Sequence, residues 1–181
     1  MNRRTRLHTL FKKQPAVFVF VLLLLAATII FPTVLLIDPT NTNHAEFYFV
    51  DIPHIMNVGQ IIPVELHLRT GSEAINAVGS EIDFNPKVLE VVTITTEQSF
   101  CTLYTENTFD NIKGTVKVSC GNPNPGFTGD STIVKVTFRA RSSNTTKLTL
   151  NSNTSQILAN DGKGTNLVHS FPSLEIKVSA L

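Results

Sequence analysis

The sequence predicts an all-β domain, a sandwich of about nine short strands, preceded by one transmembrane helix. Three observations predict it: a long apolar run near the N-terminus, two-residue alternation of apolar and polar side chains from Phe47 onward, and turn-forming clusters of Gly, Pro, Asn and Asp between the alternating stretches.

Residues 1–14 carry Arg3, Arg4, Arg6, Lys12 and Lys13 and no acid, and read as a cytoplasmic basic tail. Residues 15–37 are expected to be a signal-anchor helix, apolar from Ala16 to Ile37 except for Thr28, Pro32 and Thr33. Those residues, 16–37, reach roughly 33 Å as a helix, enough for a hydrocarbon core of about 30 Å. A cleaved signal peptide is the rival reading. Cleavage at the only small pair, Ala26-Ala27, would leave Ile29, Ile30, Phe31 and Val34 to Ile37 as an apolar tail, which favours the uncleaved anchor. Basic residues before the span and Asp38 directly after it place the N-terminus in the cytoplasm and the rest outside the cell. Residues 38–46 are polar and read as a linker, leaving 47–181 as one domain with a single core.

The net charge of +1 is therefore a cancellation: all 14 acids, but not all 15 Lys and Arg, lie beyond the span. No basic excess marks a nucleic-acid binder. A hydrophobic content of 42% excludes a disordered chain, and two cysteines exclude both a disulfide-rich scaffold and a four-thiolate zinc site.

Within the domain, Ile62, Val64, Leu66 and Leu68 alternate with polar or turn-compatible neighbours, as do Val134, Val136, Phe138 and Ala140, and Leu174, Ile176, Val178 and Ala180. Such strands bury one face and wet the other. Further strands are expected over 47–51, 75–84, 88–95, 114–120, 147–150 and 155–159. Turn clusters separate them at 57–59, 69–72, 85–86, 121–129, 151–153 and 161–164.

Four stretches are more specific: Val58 to Arg69, Ile75 to Val92 with its Asp-Phe-Asn-Pro turn followed by Val-Leu-Glu-Val-Val, Gly114 to Ser119, and Asp130 to Arg139. Together they resemble a cohesin-like domain over essentially all of 45–181. The resemblance implies a nine-stranded jelly-roll β-sandwich, of a superfold shared with some carbohydrate-binding modules, and extracellular binding without catalysis. Cohesins proper recognise dockerin modules. This chain has no dockerin-type calcium loop, so the resemblance casts it as the receiving partner, displayed singly on a membrane.

In that family the sheet holding the strand from Ile75, together with strands equivalent to 115–120 and 133–139, presents the partner. Carried over by position, the outward set is Gly79, Glu81, Asp83, Lys117, Ser119, Lys135, Thr137 and Arg139. A mixed-charge surface of this kind orients a protein partner; the alternative is an ordinary solvated face. Polysaccharide is the competing ligand, but the chain has no Trp. Tyr104, Phe109 and Phe127 lie in loop-like stretches and read as core plugs before they read as a sugar platform.

Cys120 shares the inward parity of Val116 and Val118, and Cys101 opens an irregular stretch. A disulfide between them is expected, closing a loop worth roughly 3 kcal/mol on a chain-entropy model, with two buried thiols as the alternative. No catalytic motif is present, and His67 beside Glu65 reads as a solvated pair on a strand. The stretch 160–164 reads as a glycine turn, since Lys163 opposes a cation and repeated acids are lacking, so no metal or other cofactor is expected. The sequons at Asn144 and Asn153 mark exposed loops. A pilin-like subunit would need an early acid in the helix and a processing site, and neither is present.

Overall fold

The computed structural model describes residues 44–50 and 54–180. The basic tail, the anchor and most of the linker lie outside the described residues. Among the described residues no helix is long and apolar enough to cross a membrane.

The described residues form eleven strands: β1 (Glu46–Phe49), β2 (Ile55–Asn57), β3 (Ile61–Arg69), β4 (Ile75–Asp83), β5 (Leu89–Thr95), β6 (Leu103–Asp110), β7 (Thr115–Gly121), β8 (Asp130–Ala140), β9 (Asn144–Leu150), β10 (Gln156–Ala159) and β11 (Ser173–Ser179). The nine expected strands are all among them, with shifted ends; β2 and β6 are additional. β2 is only three residues long and pairs parallel with β11, which leaves no alternation to detect. Ala45, in the expected linker, is fully buried and bridges Val168, so it belongs to the folded domain.

The strands form two sheets, one ordered β1-β3-β8-β5 and one ordered β2-β11-β9-β4-β7-β6, with β10 also pairing β4. Alternation sends one face of each sheet into a shared core, where Leu66 and Leu68 of β3 and Val134, Val136 and Phe138 of β8 oppose Val78 and Ile82 of β4 and Val116 and Val118 of β7, all at most 2% exposed. Phe138 meets Phe84 edge-on at 5.4 Å between ring centroids. No buried side-chain polar atom among the described residues lacks a partner. Ser80, for example, faces inward on β4 and donates to the Val118 carbonyl at 3.3 Å.

Two local features shape the outer surface around β4 and β7. β4 is flanked by β9 only at Ile82 and Asp83 and by β10 from Gly79 backwards, and between these ladders the Glu81 N–H donates to Ser155 Oγ while its carbonyl accepts from Asn151 N. The β6–β7 turn depends on Gly114, whose φ of +77° and 2.1 Å approach of a would-be Cβ to the Phe84 carbonyl oxygen exclude any larger residue without rearrangement.

Candidate functional site

On the outer face of β4 and β7, three expected residues from one strand meet two from the other. Antiparallel register sets Gly79 opposite Ser119 and Glu81 opposite Lys117. The Lys117 Nζ lies 3.4 Å from Glu81 Oε2, and the Glu81 side chain is only 13% exposed. Asp83 accepts a hydrogen bond from Asn151 Nδ2 at 3.1 Å. Burial, and secondarily the neighbouring Glu81 charge, push the Asp83 carboxyl above its usual range, outweighing Asn151 and Lys117. This is a carboxylate whose charge the fold only partly compensates.

The same surface is grooved. A shallow hollow of about 590 Å³ runs over Gly79, Ser119, Leu103, Thr105 and Gln156, and a second of about 390 Å³ lies between Glu81, Lys117, Glu106 and Asp110. Leu103 is 59% exposed beside the first.

The structure divides the expected set of eight. Lys135, Thr137 and Arg139 lie on β8, which pairs with β3 and β5 and so belongs to the other sheet. Alternation shows which residues leave the core but not which sheet a strand joins, since both sheets bury the same kind of stripe. The single eight-residue face is thus corrected to five residues on one sheet, of which Gly79 is buried with Gln156 over it, and three on the opposite sheet. There Lys135 pairs with Glu65 at 2.7 Å and Arg139 with Glu90 at 2.9 Å.

His67 is also on that opposite surface, as expected beside Glu65, with its Nε2 3.0 Å from both Glu65 Oε2 and Thr132 Oγ1. Tyr48, Arg69 and His67 gather around Asp130. Burial pulls the Asp130 carboxyl upward, but hydrogen bonds from Tyr48, Arg69 and His67 outweigh it and leave the group below its usual range. Sequence parity misses this cluster. Asp130 and Thr132 have the parity of inward Val134, but a bulge at fully buried Ile133 turns them outward, so that Thr132 pairs with His67 and Asp130 with Arg69.

The aromatic residues are also redistributed. Tyr104 and Phe109 lie on strand β6 rather than in a loop, and at 37% and 41% exposure they are not core plugs. Phe127 does pack against the core, stacked on Phe100 at 4.5 Å. Cys101 and Cys120 form the expected disulfide. Asp161 spends its carboxylate on the turn, accepting from Lys163 N and Thr165 Oγ1. Asn153 is exposed in a turn, whereas Asn144 opens β9.

A family model for the cohesin domain matches residues 53–178. The chain belongs to the cohesin family. Cohesin domains are non-catalytic binding modules. Solved structures with this fold include the cohesin module of a family 33 glycoside hydrolase from Clostridium perfringens, 19% identical, with a TM-score of 0.60 over 77% of this chain and 100% of that one. A non-cellulosomal cohesin from the archaeon Archaeoglobus fulgidus is 19% identical, with a TM-score of 0.57 over 75% of this chain and 91% of that one. The cohesin in a type I cohesin–dockerin complex from Clostridium thermocellum is 10% identical, with a TM-score of 0.58 over 76% of this chain and 100% of its own. No curated protein matches the chain.

Proposed function

We propose that this cohesin is a membrane-anchored, extracellular binding module that captures a dockerin-like protein on the outer face of β4, β7 and β6, without catalysis. The observation that carries the reading is Asp83. Its partly buried carboxylate stands beside Glu81 with its pKa raised, so a cationic group from a partner would offset that repulsion, and farther along the same face a hollow lined by Ala77, Leu103 and Leu158 offers apolar contacts. On the opposite surface Asp130, Glu65 and Glu90 already have Arg69, Lys135 and Arg139 as partners. The apolar run of 16–37 and its basic flank support attachment to the membrane with the domain outside, and a disulfide suits that compartment.

The test is calorimetric titration of the full chain, in detergent micelles, with a panel of dockerins, beside co-sedimentation with insoluble polysaccharides. The expected result is dockerin binding that weakens at least tenfold, about 1.4 kcal/mol, in the Glu81→Lys/Lys117→Glu double variant. The control swap Glu65→Lys/Lys135→Glu, on the other sheet, leaves it unchanged. Polysaccharide capture with no dockerin binding, or equal loss in both swaps, overturns the reading. Domain exposure is checked separately, by protease shaving of intact cells expressing the chain; protection of residues 47–181 contradicts the outside assignment.

A further inference from the structure

β6 is an anomaly among the described strands. Each of the others buries at least one residue, but β6 buries none, and it pairs only with β7 at the end of its sheet. An edge strand without core contacts is expected to fray. Two attachments at its ends oppose this.

At the leading end, the Cys101–Cys120 disulfide ties the chain just before β6 to β7, and Thr102 N donates to the Gly121 carbonyl at 2.9 Å. At the trailing end, Asn111 follows directly after β6 and bonds both backbone groups of Val91: its Oδ1 accepts from Val91 N at 2.7 Å and its Nδ2 donates to Val91 O at 2.9 Å. Val91 belongs to β5, the edge strand of the other sheet, and stands at a bulge where the register with β8 shifts between Val91 and Thr93. The Asn111 amide therefore pairs with β5 as a strand residue would, at groups β8 does not use. It stitches the free edge of one sheet to the free edge of the other.

We infer that Asn111, with the disulfide, is a positioning residue that holds β6 as a rigid rim of the outer face. That this rim serves a partner rests on the function proposed above; the clamp itself is tested without any partner. Preorganising such a rim lowers the ordering cost of binding.

Hydrogen exchange on the full chain in detergent measures the clamp. In Asn111→Ala, amides of Leu103–Asp110 are expected to exchange at least tenfold faster than in the wild type, while those of Glu46–Phe49, on the edge of the other sheet, keep their rates. Asn111→Asp retains the acceptor for Val91 N–H but loses the donor, and is expected to fall between the two. Ile176→Val, which weakens the core on β11, a strand that pairs with neither β5 nor β6, is expected to leave β6 rates unchanged. Reduction of the wild-type chain, which requires no variant to fold, is expected to speed exchange in β6 in the same way. Unchanged β6 exchange in Asn111→Ala, or equal acceleration in β1 and β6, overturns the inference.

Discussion

The two outer faces of the sandwich come from the same alternation of side chains, yet they are electrostatically unlike. On the β1-β3-β8-β5 face lie five of the eight Lys and Arg ion pairs among the described residues; His67 links the Lys135–Glu65 pair to the Arg69–Asp130 pair by hydrogen bonds, and Arg139 and Arg141 separately share Glu90. On the β4-β7-β6 face Glu81 has Lys117, but Asp83 is left with a raised carboxyl pKa, and the face carries two hollows and an exposed edge strand. A partner docking on the first face would desolvate charges that are already matched, with little to gain. On the second it would supply what the fold withholds. The proposed binding face thus differs from the opposite one not in the presence of charge but in whether its charges are already answered.

The largest expected effect breaks both faces together. Phe138 is fully buried against Phe84 beneath the two sheets, and Phe138→Ala is expected to cost about 3–5 kcal/mol in denaturant unfolding. A loss below about 1 kcal/mol would show that the sheets do not share one core there. Next is Gly114→Ala, which forces a left-handed backbone on a residue with a Cβ and drives it into the Phe84 carbonyl. An expected cost of about 2 kcal/mol falls on the β6 side, and an unaltered unfolding midpoint would remove the turn from the account of that edge.

Acid titration separates the faces by sign. Hydrogen bonds from Lys135 and His67 hold the Glu65 carboxyl below its ordinary value of 4.5. Its stabilisation is present above that value and disappears as the pH falls through its lower folded pKa. Asp83 is displaced above its ordinary value of 3.8. Its ionised form costs stability near neutrality, and that cost fades as the pH falls through its raised pKa. Glu65→Gln is thus expected to lower stability at about pH 7 and to converge with the wild type in acid, whereas Asp83→Asn is neutral or stabilising at about pH 7 and likewise converges. Unfolding curves across this range check both, and the same sign for the two variants would refute the contrast. The smallest effect is at the rim of the saturated face. Arg139→Ala removes a 2.9 Å pair to Glu90, with the arginine 45% exposed, and is expected to change stability by under about 1 kcal/mol.

Most of the scaffold was legible because burial leaves a period-two trace, as in β3, β8 and β11. β6 left none: Leu103 to Asp110 buries no residue, so its Leu, Tyr and Phe stand among polar residues without a periodic stripe. The bond between Cys101 and Cys120 was anticipated from the outer compartment expected for both cysteines together with the inward parity of Cys120. The Asn111 stitch had no such trace, since its partners are the backbone atoms of Val91, 20 positions away.

The amino-acid order by itself determined the all-β class, the membership of Gly79, Glu81, Asp83, Lys117 and Ser119 in an outward set, and the separation of an apolar, basic-flanked N-terminus from an acidic domain. These follow from local periodicity and composition, which each segment carries alone. Only the tertiary structure decided that β8 joins β3 and β5 rather than β4 and β7, and that the Ile133 bulge turns Asp130 and Thr132 outward. Strand pairing and register are settled between segments distant in the chain, where alternation permits several sheets and shared packing selects one.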